Sequence, residues 1–276
     1  MTTQQEIIAE LGVRPEFDAA TEAERRIAFL ADYLRTSGTK GYVLGLSGGV
    51  DSTTCGRLAQ LACERVRESG GEASFLAMRL PYGVQADEAD AAAAVEFVGA
   101  DETITVNIKA ATDAMFAEVD GAGIDFTSID RADFVKGNVK ARQRMIAQYL
   151  AAGARSMLVL GTDQAAEAVV GFYTKYGDGA ADLIPLAGLT KRRVRAVAAH
   201  LGAPDHLVNK VPTADLEDGK PLNPDEAALG VSYDAVDDYL AATRRRFEHG
   251  ARIDDAIGGD AVLAVPTLNV QDWPPD

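Results

Sequence analysis

Two hydroxyls, two glycines and a carboxylate occupy five of the six positions in Ser47-Gly48-Gly49-Val50-Asp51-Ser52. Residues of these types in this order suit a polyphosphate. Glycine lets the main chain come close to a phosphate, and Ser47 and Ser52 add hydroxyl donors. An apolar run at residues 42–46 precedes the turn and has the length of a buried parallel strand. After the turn, Cys55, Leu58, Ala59, Ala62 and Val66 recur at the three- and four-residue steps of an amphipathic helix. The turn therefore joins a strand's carboxyl end to a helix's amino end, where free N–H groups and the helix dipole favour an anion. An ordinary glycine-rich turn is the competing reading, and six matching positions in this context weigh against it. Two better-known phosphate loops do not fit. The chain has no Gly-Lys-Ser/Thr ending of a Walker loop, nor the three spaced glycines of a dinucleotide fingerprint.

The elements that must position this turn alternate along the chain. Helices are expected at residues 4–11 and 21–36, parted by Pro15, with Thr21 capping the second ahead of Glu24. After the loop helix come a strand at 73–80, a polar acidic segment at 83–90 expected to be mobile, a helix at 88–97, a strand at 103–108 and a helix at 110–119. Such alternation predicts a doubly wound, mostly parallel sheet flanked by helices, with ligands outside the carboxyl ends of its strands. The longest helical stretch is 132–152, with Val139, Ile146 and Leu150 on one face. Asn138 and Arg142 are neighbours four apart, and Phe134 lies one turn back. Two polar forks and an aromatic could hold a base and its ribose phosphate, or simply form a solvated surface.

A further apolar strand at 156–160 opens into Gly161-Thr162-Asp163-Gln164-Ala165-Ala166-Glu167. The edge rule brings Thr162 and Glu167 near the nucleotide. Glu167 could share a magnesium ion with a polyphosphate, since that ion takes only one or two protein oxygens. It could equally answer the helix dipole, and spacing does not decide.

Composition bounds the rest. At 276 residues, 47% hydrophobic and 25% charged, the chain has the makeup of an ordinary globular protein with ample core. No apolar run is long enough to span a membrane, no signal pattern opens the chain, and a cytoplasmic location is expected. Cys55 and Cys63 fall on one predicted helix, too far apart for a bridge. A net charge of −15, from 27 Lys+Arg against 42 Asp+Glu, opposes nonspecific nucleic-acid binding. It does not oppose a small anion held by local donors and a metal.

The Ser-Gly-Gly-x-Asp-Ser turn resembles the pyrophosphate loop of the ATP pyrophosphatase superfamily. A narrower resemblance is to ammonia-dependent NAD synthetase. It is carried by LGLSGGVDS at 44–52, RLPYGVQ at 79–85, GNVKARQRM at 137–145, GTD at 161–163, FYTKYGDG at 172–179, LTKR at 189–192, KVPTADL at 210–216 and Asp225-Glu226. These stretches run in order over roughly the first 240 residues. The resemblance implies a ligase that uses ATP to adenylate the nicotinate carboxylate of deamido-NAD, releases pyrophosphate, and lets ammonia displace AMP. It implies Asp51 and Lys191 in catalysis, with Lys191 clamping the α-phosphate. ATP would be held by Ser47, Gly48, Gly49, Ser52, Arg79, Gln85, Thr162, Lys191 and Thr213. Deamido-NAD would be held by Tyr33, Phe134, Asn138, Arg142, Lys175, Asp178 and Glu226, and Mg2+ by Asp51, Glu167 and Thr213. It also implies a homodimer with substrate sites at the subunit boundary.

Two departures from the family pattern stand out. Gln164 replaces a histidine, which would remove any acid–base task at that position. After Asp237-Asp238-Tyr239-Leu240 the chain diverges, and Gly250 stands where the family has a lysine after Glu248-His249. The expected organisation is a synthetase-like domain over residues 1–257, ending in a helical extension, and an irregular, mobile tail at 258–276. With no room seen for a glutaminase domain, the nitrogen would come as free ammonia or be supplied by another protein. The alternatives are another adenylating amidotransferase of the superfamily, or a nucleotide-binding pseudoenzyme.

Overall fold

The computed structural model of the chain describes residues 3–242. The expected tail at 258–276, and Glu248-His249 before it, lie outside the described residues. In chain order the elements are α1 (Thr3–Glu10), α2 (Ala19–Ser37), β1 (Gly41–Gly45), α3 (Val50–Glu68), β2 (Ser74–Arg79), α4 (Glu88–Val98), β3 (Glu102–Thr105), α5 (Lys109–Gly121) and α6 (Ile129–Arg155). Then follow β4 (Leu158–Val159), α7 (Ala165–Val170), α8 (Lys191–His200), α9 (Asp205–Val208), α10 (Asp225–Leu229) and α11 (Tyr233–Leu240).

The strands form a four-stranded sheet in the order β3-β2-β1-β4, every pair parallel. Both faces are covered, which is why β1 reads as an unbroken apolar run. Tyr42, Leu44 and Leu46 face one core with Ile27, Leu30, Leu58 and Val194, while Val43 faces another with Leu76, Met78, Ala152 and Val159. The Tyr42 hydroxyl donates to Leu30 O at 2.8 Å, satisfying the polar end of a fully buried ring. The chain builds from β1 outward to β2 and β3, then returns through α5 and α6 to place β4 on the other side of β1. The order therefore reverses at the carboxyl end of β1, where open α/β sheets bind ligands.

Local chemistry moved several expected boundaries. Asp18, not Thr21, caps α2: its carboxylate accepts from the Thr21 backbone N–H at 2.8 Å and from the Thr21 hydroxyl at 2.6 Å. A carboxylate one turn earlier outcompetes a hydroxyl for the free N–H groups. Ser128 caps α6, whose side chain accepts from Arg131 N–H, and the helix runs on to Arg155 before Ser156 turns left-handed at φ 56°. That extension consumes the start of the strand expected at 156–160, leaving Leu158–Val159. The expected apolar face of α6 is turned outward, with Ile146 43% and Leu150 70% exposed. Cys55 and Cys63 are free and buried. Among the described residues, no helix is long and apolar enough to cross a membrane.

The β1–β2 register depends on Gly41, whose φ is +148° and whose added Cβ would stand 1.8 Å from Ser74 O. Gly41→Ala is expected to cost more than about 3 kcal/mol, because both strand backbones are fixed by their ladder. Thermal denaturation checks this; a variant melting within a few degrees of the wild type would contradict it.

Candidate active site

The glycine turn leaves the carboxyl end of β1 with Leu46 N–H still bonded to Met78 O at 2.8 Å. Gly49 starts α3 with no side-chain cap, so its first-turn N–H groups are not taken up by a capping side chain. Ser47 and Ser52 stiffen the loop, with Ser47 Oγ and Ser52 Oγ 3.0 Å apart and Ser52 Oγ donating to Gly49 O at 3.1 Å. Gly48 has φ +88°, and a Cβ there would meet Ala91 N at 2.8 Å. This glycine thus admits the start of α4 against the turn. The cleft above it has a volume of about 460 Å³.

Three helix starts bring charge to that cleft. Asp51 comes from the first turn of α3, Glu167 from α7 and Lys191 from the first position of α8. Lys191 Nζ donates to Asp51 Oδ2 at 2.6 Å and Glu167 Oε1 at 3.0 Å, with the side chain 1% exposed. Burial opposes the ammonium charge, but Asp51 and Glu167 outweigh it and raise its pKa. The start of α8 is held in turn by Asp237, whose Oδ1 and Oδ2 accept from Lys191 N–H at 3.0 Å and Arg192 N–H at 2.7 Å. Tyr233 closes the group: its hydroxyl lies 3.2 Å from Asp225 Oδ2 and 3.4 Å from Glu167 Oε1.

These residues suit magnesium. Asp51 Oδ1 is buried without a protein partner, an orphaned acceptor on a residue that lines the cleft together with Thr213 and Glu167. Among the described residues, no three His, Cys, Asp or Glu side chains gather as a metal-binding group. A hard cation drawing most of its oxygens from phosphate and water matches a set of two carboxylates and one hydroxyl.

Gln85 holds the opposite wall, its Nε2 donating to Ser47 O at 3.0 Å and Asp87 Oδ1 at 2.8 Å. Thr162 and Asp178 also line the cleft. Arg79 does not: it pairs with Glu88 at 2.5 Å and reaches Gln85 Oε1 at 3.3 Å. Asn138 and Arg142 grip the 172–178 segment from α6 instead of facing the cleft. Asn138 Oδ1 accepts from the Thr174 hydroxyl at 2.8 Å, Arg142 Nε donates to Lys175 O at 3.2 Å, and Asp178 Oδ1 accepts from Thr174 N–H at 2.8 Å. Phe134 is 48% exposed under the Arg131 guanidinium, the Lys175 ammonium lies over the Tyr176 ring, and Tyr33 packs near Phe29. Glu226 Oε1 accepts from Tyr233 N–H at 2.8 Å at the start of α11. None of these five side chains, nor Gly48 or Lys175, lines the cleft of the single chain.

Sequence reasoning missed several residues. Lys140, Arg144, Lys210, Asp163 and Asp225 line the cleft, and Gln148 Oε1 accepts from Gly45 N–H at 2.7 Å. Arg144 is fixed by its Nε bond to Leu80 O at 3.0 Å. Lys140 and Arg144 lie in the matched stretch at 137–145, where their spacing resembles any charged helix face. Gln164 turned out to be structural: its buried Oε1 caps α7 by accepting from Ala166 N–H at 2.7 Å.

A parallel sheet with an uncapped glycine turn at its switch point defines a phosphate-binding α/β protein. The sequence pattern of the NAD synthase family matches residues 22–270, and the chain belongs to that family. It is 59% identical over 251 residues to the NH(3)-dependent NAD(+) synthetase of Burkholderia mallei (strain SAVP1), covering 91% of this chain and 86% of that one. The counterpart from Paraburkholderia phytofirmans is 60% identical over 237 residues, covering 86% and 83%. Among solved structures, NAD+ synthetase from Burkholderia pseudomallei superposes with TM-score 0.74 at 51% identity, covering 88% of this chain and 92% of that one. NMN synthetase from Francisella tularensis superposes with TM-score 0.73 at 31% identity, covering 88% and 94%.

Burial pushes the Asp163 carboxyl up from 3.8 to about 7, with Asp178 and Asp51 adding like charge. The folded protein then keeps a proton that the unfolded chain releases, so this residue lowers stability as pH rises from 3.8 toward 7. Asp163→Asn is expected to leave stability unchanged in acid and to raise it by about 1–3 kcal/mol at neutral pH. Urea denaturation of the ligand-free protein across pH measures this; a difference that does not grow with pH would contradict it.

Proposed function

We propose that the chain amidates deamido-NAD with ammonia to give NAD, consuming ATP and releasing AMP and pyrophosphate. The observation that carries this reading is the meeting of Asp51, Glu167 and Lys191 beside the glycine turn, in a chain 59% identical to proteins named NH(3)-dependent NAD(+) synthetase. In the first step, a nicotinate carboxylate oxygen bonds to the α-phosphorus of ATP as the α–β phosphoanhydride bond breaks. In the second, ammonia bonds to the acyl carbon, loses a proton, and AMP departs. Carboxylate and triphosphate repel, so the site's task is to neutralise charge where it spreads.

The N–H groups and hydroxyls of the 47–52 turn receive the terminal phosphates. Gln85 holds the turn in place, and Thr162 borders the nucleotide. Lys191 supplies the positive charge at the α-phosphate. Asp51, Glu167 and Thr213 would hold Mg2+, which neutralises phosphate oxygens and stabilises the leaving pyrophosphate. Asp178 faces the acceptor side, where burial raises its carboxyl above the ordinary range. The stretch to residue 257 acts as one catalytic domain with 258–276 as its tail. The reading also takes the protein as cytoplasmic and as having no nucleic-acid partner, which the net charge of −15 supports.

A homodimer is part of the proposal. Along α6, Ile129, Phe134, Ile146 and Leu150 are exposed in the single chain, and Ile146 and Leu150, four apart, share a face. Tyr33, Phe134, Asn138, Arg142, Lys175 and Glu226 would join the dinucleotide site at a boundary between two copies. Pairing the α6 faces would cover the exposed side chains and bring a second wall to the cleft.

Purified protein given ATP, Mg2+, deamido-NAD and ammonium should form NAD with equal release of AMP and pyrophosphate. Nicotinate mononucleotide should be a much poorer acceptor; a preference for it would move the reading toward the Francisella neighbour. Asp51→Asn should keep the fold and lose pyrophosphate release by at least about a thousandfold, and near-normal release would refute the metal assignment. Leu150→Glu should shift the protein from dimer to monomer in sedimentation analysis. An unchanged sedimentation coefficient would place the boundary elsewhere.

A further inference from the structure

The same two carboxylates assigned to the metal already hold a cation of the chain's own. Lys191 Nζ sits 2.6 Å from Asp51 Oδ2 and 3.0 Å from Glu167 Oε1, almost wholly buried. Its backbone is anchored by Asp237, so only the side chain is free to reposition. The Tyr233 ring lies 4.6 Å from the ammonium, presenting a π face to the charge. Beyond the ring, Asp225 Oδ2 bonds the tyrosine hydroxyl, and Asp225 Oδ1 is buried with no protein partner. The ammonium thus has a cation-tolerant surface beside it as well as the carboxylates beneath it.

An ammonium on Asp51 Oδ2 and Glu167 Oε1 and a divalent cation drawn to the remaining oxygens of the same carboxylates would repel each other in a buried cleft. We propose that Lys191 is a resident counter-ion that competes with the divalent cation for these carboxylates and moves onto the triphosphate when nucleotide brings it an alternative anion. The lysine then does two jobs in sequence. It neutralises buried carboxylates that would otherwise be costly to desolvate, and afterwards it clamps phosphate. The coupling follows by linkage: a ligand that draws Lys191 off the carboxylates strengthens metal binding, and bound metal strengthens binding of that ligand. Metal without nucleotide binds weakly, so the charge that activates ATP assembles only with ATP in place. A permanent structural ion pair predicts the reverse, since removing its lysine would loosen the carboxylates and weaken any metal site.

The inference rests on the ligand assignment made under the proposed function, and its test needs no turnover. Mn2+ is titrated by calorimetry into full-length protein without nucleotide, comparing wild type with Lys191→Met and Lys191→Gln. Both variants should bind Mn2+ at least about tenfold more tightly, and adding Asp51→Asn to either should abolish that gain. Affinities equal to or weaker than wild type, in variants with native circular dichroism, would overturn the counter-ion role alone. Absence of Mn2+ binding from every form, with nucleotide supplied as well, would sink the ligand assignment and this inference together. Wild-type crystals give a second readout free of folding effects. With Mn2+ and a non-hydrolysable ATP analogue, Lys191 Nζ should have left Asp51 and Glu167, and an ammonium still bonded to both would refute the exchange.

Discussion

A buried ammonium bridging two carboxylates from different helices is the constraint on which the cleft depends. Asp51 enters with α3, Glu167 with α7 and Lys191 with α8, and none could be left alone in that position without a heavy desolvation cost. Their meeting fixes where three helix starts stand relative to β1. Asp237 caps α8 from α11, and Tyr233 of the same helix touches both Glu167 and Asp225. The last described helix therefore acts on the site through the elements it braces.

The cleft of this acidic chain sets a few cations among its carboxylates. Against a net −15, the walls gather Lys140, Arg144, Lys191 and Lys210. Acid partners hold three of them. Lys140 bonds Asp218 at 2.6 Å and Leu216 O at 2.7 Å, and Lys210 pairs with Asp87 and with Asp90 at 2.9 Å. These bonds tie the 209–218 segment to α6 and to the start of α4, drawing the wall that carries Thr213 toward the wall that carries Gln85. Nine carboxylates, among them Asp51, Asp163, Glu167 and Asp178, line the same cleft, so an anionic substrate would be met by individually placed cations rather than by a net positive field.

Much of this was legible in the sequence where local rules govern. The run at 42–46 announced a doubly covered strand, and the glycine turn announced the junction between that strand and α3, because both depend on neighbours in sequence. Asp18 displaced Thr21 as a cap, since two adjacent signals compete and a carboxylate is the better acceptor. The strand at 156–160 shrank because α6 ran three residues past its expected end. Other features rest on contacts between distant segments. Asn138 and Arg142 look like ligand forks on a helix, and within the single chain they also staple the 172–178 segment. Nothing near Tyr233 or Asp225 in sequence reveals that they lie against Glu167 and Lys191. Family resemblance supplied Asp51, Glu167, Lys191 and Thr213 together, which spacing alone could not. Even so, the ammonium's seat on the two carboxylates became visible only in three dimensions.

The most direct measurement is a crystal structure of the protein with Mg2+ and a non-hydrolysable ATP analogue. The account predicts terminal phosphates on the N–H groups of the 47–52 turn and one metal ion bridging a phosphate oxygen to both Asp51 and Glu167. A nucleotide bound away from that turn, or a metal ion touching neither carboxylate, would contradict it.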